Sequence, residues 1–362
     1  MSITSAGIPV LYFRSSSYNA WGMCPQQFFL SYILGIPQRD NKKAEMGTIV
    51  HKVMECLAAA KYALQKEELQ FTDDVAGTID FKPDMVYTDN FVDYLYDLSY
   101  RYYTEKSVNK YDEKDRKVMR EWTFKPLRML NGSFDPRNRD IVAPELHFDF
   151  EIDEPWAEYE YELPDGSTVK GRLALKGTID LVTKVGDSVF ESIDWKTGQR
   201  LDWGSKKSWP HNIKTFEKLM VDPQLRIYHY ALHHKFPDLK QIIPTIYFIN
   251  DHGTKKQPVT GGVYSVAFEK DRIDETKEMI RKRFERIKNT SRPELVKSWK
   301  CKSFCHYGRT AHPSGEIDPR TGAPYTICEY IARKTRENGI SKTIKDYIHP
   351  GYVLGNYKAP GT

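Results

Sequence analysis

The sequence is poor in several features that mark whole classes of protein. No apolar run approaches the length needed to cross a bilayer, about 20 residues, so no spanning helix is expected. The opening MSITSAGIPVLYF has no charged stretch leading into an apolar one, so it does not read as a secretory leader. The cytoplasm is therefore the expected compartment. Cysteine is scarce, five residues in 362. In a reducing compartment that number argues against a disulfide framework and for thiols or metal ligands. No GxxxxGK[ST] loop occurs, which excludes a P-loop ATP motor within this sequence. Internal repeats and extended low-complexity tracts are also missing. The net charge of +5 is mild, compatible with a nucleic-acid partner without requiring one.

What is present suits one large domain or two ordinary ones. From Ser16 to Gly35, Phe28, Phe29, Tyr32 and Ile33 recur at helical spacing, with Cys24-Pro25 near the start and Gly35 as a stop. The stretch Met46 to Leu64 carries a Val50, Val53, Met54, Leu57 stripe and predicts a helix capped by Thr48, with His51 near its first turn. Asp84 to Leu130, rich in tyrosine, predicts two helices that suit either ordinary packing or an arm over a substrate path. From Pro144 the pattern turns to strands, ELHFDFEI and then TVKGRLALKGTIDLV across a Pro164–Gly166 turn. A Trp- and Lys-rich connection, DWGSKKSWPHNIK, leads to a helix around DPQLRIYHYALHHKF. There Gln224 and Tyr228 share one face, while His229 and His233 read as a solvated face rather than a zinc pair. Two more strands, a charged helix at DRIDETKEMIRKRFERIKN and a C-terminal part with three cysteines complete the chain. The expected organisation is a helical region over 1–140, a catalytic core over 141–290 and a cysteine-containing region over 291–362.

The most informative stretch is Lys176 to Gly198, KGTIDLVTKVGDSVFESIDWKTG, which predicts a hairpin. A three-residue loop, Gly186 to Ser188, pairs Val185 with Val189. Ile179, Leu181, Val185, Val189, Ile193 and Trp195 then share an apolar face. The other face carries Asp180 opposite Asp194, with Lys196 beside them. An isolated D-x-K on a strand is ordinarily a surface salt bridge. Two carboxylates facing each other are better explained by a divalent cation between them, since hard cations take carboxylate oxygens.

His51, Asp180, Asp194, Lys196, Gln224 and Tyr228 form an ordered set. In the contexts GTIVH, GTID, IDWKTG and QLRIY they resemble the RecB-like branch of the PD-(D/E)xK nuclease superfamily. The resemblance implies an α/β fold, a restriction-endonuclease-like αβββαβ core with a mixed sheet, plus helical N- and C-terminal additions. It also implies metal-dependent DNA hydrolysis. Asp180 and Asp194 would supply oxygen ligands and His51 a nitrogen ligand, and the resemblance adds the carbonyl of Trp195. Lys196 would orient or help deprotonate the attacking water, or stabilise charge on the phosphate. Gln224 and Tyr228 would brace the site or touch the DNA backbone. Magnesium is the expected ion, with manganese able to replace it.

A second resemblance lies in the cysteines. Cys24 precedes the nuclease motifs and Cys301, Cys305 and Cys328 follow them, as in the AddB-type and CRISPR-associated nucleases that hold a [4Fe-4S] cluster. The C-x3-C spacing of Cys301 and Cys305 and the inserted loop before Cys328 depart from that pattern, which makes Cys328 the weakest member. Four thiolates suit iron–sulfur or structural zinc, and the resemblance points to iron–sulfur. Cys56, among Ala and Leu, is read as packing. The resemblance thus implies an exonuclease acting on single-stranded DNA ends; recombination, repair and CRISPR adaptation, with partner proteins in them, are all open as its setting. A structure-specific endonuclease and a non-catalytic DNA-binding subunit with a zinc site are the alternatives.

Overall fold

The structure, a computed structural model, describes residues 7–38, 41–162, 166, 168–198, 216–251, 262–352 and 354. The connection DWGSKKSWPHNIK and most of the Pro164–Gly166 turn lie outside these residues. The chain forms two compact units, each assembled from separated stretches. One comprises Met1–Arg39, Phe148–Gly177 and Asp274–Thr362, the other Asp40–His147 and Thr178–Ile273.

The second unit holds the helix Lys42–Gln65, the strands Ile141–Ala143, Leu181–Gly186 and Val189–Lys196, the helix Pro223–Lys235 and the strand Gln241–Phe248. This is the expected αβββαβ succession. Val189–Lys196 lies centrally, antiparallel to Leu181–Gly186 and parallel to Gln241–Phe248. Parallel neighbours need a long crossover, and Pro223–Lys235 lies on it. Gly262–Ser265 and Phe268–Glu269 both pair with Gln241–Phe248, so the sheet is mixed. Lys42–Gln65, Asp89–Lys106 and Glu113–Arg128 pack on Leu181, Ile193, Trp195 and Tyr247 in one core that also encloses Cys56.

Several local expectations are corrected. The hairpin turn has two residues, Val189 pairing with Gly186, and a bulge follows. The bulge restores the expected register, Phe190 opposite Lys184 and Ile193 opposite Leu181, and leaves Val185 47% exposed rather than inward. The Lys42–Gln65 helix begins before Thr48. Asn41 caps it, its side chain accepting from the Lys43 N–H, and His51 sits in the third turn. Leu146–Glu151 is a strand as expected, and it forms a small sheet with Ala174–Ile179 and Tyr12–Phe13. His229 and His233 are buried, because their helix packs on the sheet with Phe268 against His229.

In the first unit, Tyr12–Phe13 runs parallel to Ala174–Ile179, and Glu158–Glu162 forms a hairpin with Thr168–Arg172. The helix Arg272–Lys288 buries Ile280, Phe284 and Ile287. The helix Ile327–Asn338 starts with a capping box between Thr326 and Glu329. Among the described residues no helix is long and apolar enough to cross a membrane.

Candidate active site

Three local features aim the site. Asp180 is the single residue between the strands Ala174–Ile179 and Leu181–Gly186, so its carboxylate falls at a strand break. There its Oδ2 accepts the backbone N–H of Trp195 at 3.0 Å. Asp194 and Lys196 alternate with Ile193 and Trp195, which face the core. Gln224 is fixed by the start of its helix: Pro223 is in the first turn and Asp222 accepts the Gln224 N–H at 3.0 Å.

The helix bearing His51 comes close because position 47 lacks a side chain. A Cβ there would stand 2.9 Å from the Thr197 hydroxyl oxygen, immediately after Lys196. One turn on, His51 Nδ1 lies 3.3 Å from Asp180 Oδ2. Lys196 Nζ lies 2.7 Å from Asp194 Oδ2 and donates to Oδ1 at 2.9 Å. Gln224 Nε2 donates to the same Oδ1 at 2.6 Å and to Tyr228 Oη at 2.9 Å. The structure therefore brings His51, Asp180, Asp194, Lys196, Gln224 and Tyr228 together, with Trp195 between the two strand residues and its ring in the core.

Charge divides the two carboxylates. Burial would raise Asp180, but the adjacent His51, with Lys196 and the Trp195 N–H, brings its pKa below the usual carboxylate range. Asp194 is more enclosed; burial, with Asp180 adding, outweighs Lys196 and pushes it up. Burial would lower His51, yet the Asp180 carboxylate reverses that and holds it up. Lys196 is likewise raised, burial being outweighed by Asp194 and Asp180, so it stays an ammonium. Burial, with Asp194 and Asp180, keeps the Tyr228 phenol protonated well above its usual range. Two neighbouring carboxylates held apart in this way are a common feature of hydrolytic sites.

A further cluster was not singled out by the sequence. Glu55, Asp73 and Asp74 bring carboxylate oxygens within 4.8 Å of one another. Lys52 Nζ sits among them at 2.8–3.0 Å, so a side-chain ammonium already offsets part of their charge. Its effect is to tie the long helix to the Gln70–Asp73 strand.

The four cysteines of the second resemblance all lie in the other unit. Cys328 is buried, Cys24, Cys301 and Cys305 are half-buried, and all are free thiols. They lie near enough to act on one another's charge: burial first, then Cys24, Cys305 and Cys301, raise the Cys328 thiol. Burial also raises Cys305, opposed by the backbone N–H groups of Gly308 and Tyr307 aimed at its sulfur. Gly308 permits this fold, since a Cβ there would stand 2.8 Å from the Cys301 carbonyl oxygen.

The sequence model of the PD-(D/E)XK nuclease superfamily matches residues 15–310. Among curated proteins, none matches the sequence. A crystal structure from Eubacterium rectale named "Putative exonuclease" is similar at 12% identity and a TM-score of 0.34, covering 80% of this chain and 86% of that one. With the family match spanning most of its length, the chain belongs to the PD-(D/E)XK nuclease superfamily.

Proposed function

We propose that the chain is a metal-dependent exonuclease that hydrolyses phosphodiester bonds at single-stranded DNA ends. The observation that carries this reading is the convergence of Asp180, Asp194, Lys196 and His51 from separate parts of the sequence, with a carboxylate–imidazole pair at 3.3 Å and a carboxylate–ammonium pair at 2.7 Å. The donor set fits a hard divalent ion with tolerance for nitrogen: two carboxylates, an imidazole and the Trp195 carbonyl would hold Mg2+ or Mn2+. When bound, such an ion lowers the pKa of water and neutralises phosphoryl charge. Asp180 is available as an anion. Lys196, held as an ammonium, places positive charge where a phosphate oxygen gains negative charge, which favours its role as charge stabiliser over proton acceptor. Gln224 fixes the Asp194 carboxylate, and Tyr228 fixes Gln224.

The four cysteines fit a structural [4Fe-4S] cluster, with zinc as the alternative. The donor set is all thiol; burial raises Cys305 and Cys328, so binding a cluster would release their protons. No redox step is required in hydrolysis, so the cluster would act as a staple.

End-labelled linear and closed circular single-stranded DNA, incubated with and without Mg2+ or Mn2+, test the reading. Degradation of the linear substrate alone, dependent on metal, is expected. Cutting of the circle would replace it with an endonuclease, and metal-saturated protein that cuts neither would leave a DNA-binding subunit.

A further inference from the structure

The strands Val189–Lys196 and Gln241–Phe248 run parallel with Lys196 level with Phe248, so their carboxyl ends lie side by side. In open α/β sheets, ligands bind beyond that end of parallel strands. Backbone and side chain knit the two ends together here. The Ile249 N–H donates to the Lys196 carbonyl at 2.8 Å, and Asn250 Nδ2 donates to the Thr197 carbonyl at 2.8 Å. The other end of the same amide meets a cation: Asn250 Oδ1 accepts from Lys125 Nζ at 3.0 Å. A carbonyl only accepts and an ammonium only donates, so the two contacts fix which way the amide points.

Lys125 differs from the arginines of its own helix. Along Glu113–Arg128, Arg116, Arg120 and Arg128 are paired with Asp97, Asp93 and Asp89. Lys125 has no carboxylate within ion-pair reach among the described residues; its partner is the neutral Asn250 amide. It is nonetheless half-buried, and burial lowers its pKa from the ordinary lysine value, with Glu121 one turn back opposing. Asn250 occupies one of three ammonium donors. A cation partly withdrawn from water, with two donors left over, is stabilised by an anion.

The cations among the hydrolytic residues each face a carboxylate, Lys196 against Asp194 and His51 against Asp180. They are placed for the phosphate being cut. A DNA strand carries a further phosphate at every linkage on either side. Lys125 is a cation that no carboxylate holds, linked through one side chain to the residue that follows Lys196.

We infer that Lys125, held by Asn250, is a phosphate seat for the DNA strand, its ammonium donating to a non-bridging oxygen of a linkage near the one cut. This rests on the reading of the chain as a DNA nuclease and adds a substrate-binding residue to that site. The rival role is a clamp, in which Lys125 only ties its helix to the sheet.

Anisotropy of a fluorescein-labelled oligothymidylate of about 20 nucleotides, in EDTA to prevent hydrolysis, measures binding by the full chain. Lys125→Met keeps much of the side-chain length and removes the charge. One lost phosphate contact should make the salt slope shallower by about 0.7, which is about fourfold in affinity at about 0.15 M salt. Lys125→Arg should restore both. With Mg2+ present, Lys125→Met should raise KM by a similar factor while kcat is nearly kept. An oligothymidylate carrying a single uncharged methylphosphonate linkage, moved one position at a time, locates the seat. At one position it should weaken wild type about fourfold and Lys125→Met not at all. If Lys125→Met lowers the melting temperature, Lys125→Gln, which keeps a donor for Asn250, carries the test. Wild-type affinity and salt slope in the folded variant overturn the seat and leave the clamp. So does a series of methylphosphonates that weakens wild type and variant equally at every position. The two readings fail separately. Protein whose DNA affinity depends on Lys125 but which never cuts, with metal present, removes the nuclease assignment alone; protein that cuts with an unchanged KM in Lys125→Met removes the seat alone.

Discussion

Gln224 and Asp194 are joined by a 2.6 Å hydrogen bond between side chains 30 residues apart in sequence. Asp194 Oδ1 also receives Lys196, so the glutamine amide and the ammonium together hold one carboxylate oxygen. Gln224→Ala removes that hold and leaves a buried acceptor short of a donor, at a cost of about 1–3 kcal/mol. We expect a lower kcat, a higher metal requirement and a modestly lower melting temperature. Gln224→Glu should be worse for metal-free stability, because it sets a third carboxylate against Asp194. Wild-type kcat and metal dependence in Gln224→Ala would remove the glutamine from the site.

Lys196→Ala and Asp194→Asn test the centre directly. Each should lower cleavage on the order of 10²–10³-fold or more, the range seen when a charge stabiliser is lost. DNA binding and the folded state should be largely kept. Cleavage within a few-fold of wild type in either variant would mean that this D-x-K is an ordinary ion pair.

His51 separates a ligand from a structural histidine. His51→Ala should shift the Mg2+ or Mn2+ concentration for half-maximal rate upward while changing the melting temperature little, since its side chain is about one-third exposed. An unchanged metal titration would make the 3.3 Å contact with Asp180 a structural pair only.

The clustering of the candidate residues was legible in sequence because short motifs carry them. GTID and IDWKTG place charged residues at strand positions set by a period of two, and the register came out right although the turn did not. The error at Val185 arose because a two-residue turn followed by a bulge yields the same downstream register as a three-residue loop. His229 and His233 were misjudged for a different reason. Their helix buries residues on most of its circumference, and helical spacing alone cannot tell a covered polar face from a wet one. Gly47 shows the same limit: its closeness to Thr197 is a tertiary fact. The Lys52 knot with Glu55, Asp73 and Asp74 was likewise hidden, because its members are joined only once the strand Gln70–Asp73 folds back.

The buried histidines make stability sensitive to acid. Burial, then His233, lowers His229 from the usual 6.5 to about 3, with Arg226 adding and the Glu269 backbone opposing. His233 is lowered by burial and Lys270, opposed by Glu269. A histidine with a lowered folded-state pKa binds its proton in the unfolded chain first. Stability is therefore full above pH 6.5 and is lost as pH falls from there toward 3, by about 1.4 kcal/mol per unit for one such group. Urea midpoints should drop between pH 7 and pH 5, and His229→Leu should flatten that drop. An identical pH dependence in the variant would show that His229 does not drive it.

Cys24 and Cys301 are separated by nearly the whole chain, yet both act on the Cys328 thiol in the same cluster. Loop-closure cost rises only about 0.6 kcal/mol per doubling of length, whereas metal–thiolate bonding can supply a large part of folding free energy. A bound cluster should therefore act as a staple whose loss is felt in stability before chemistry. Protein purified without air should be brown and contain about four irons per chain. Cys24→Ala, Cys301→Ala, Cys305→Ala and Cys328→Ala should each lose the colour and lower the melting temperature. Cys56→Ala should keep the colour, since Cys56 is packed in the core of the other unit. A colourless protein holding one tightly bound zinc would favour the zinc site. A metal-free protein of equal stability and activity would make the four cysteines simple packing residues, and would leave the hydrolytic site untouched, because none of its residues belongs to the cysteine-bearing unit.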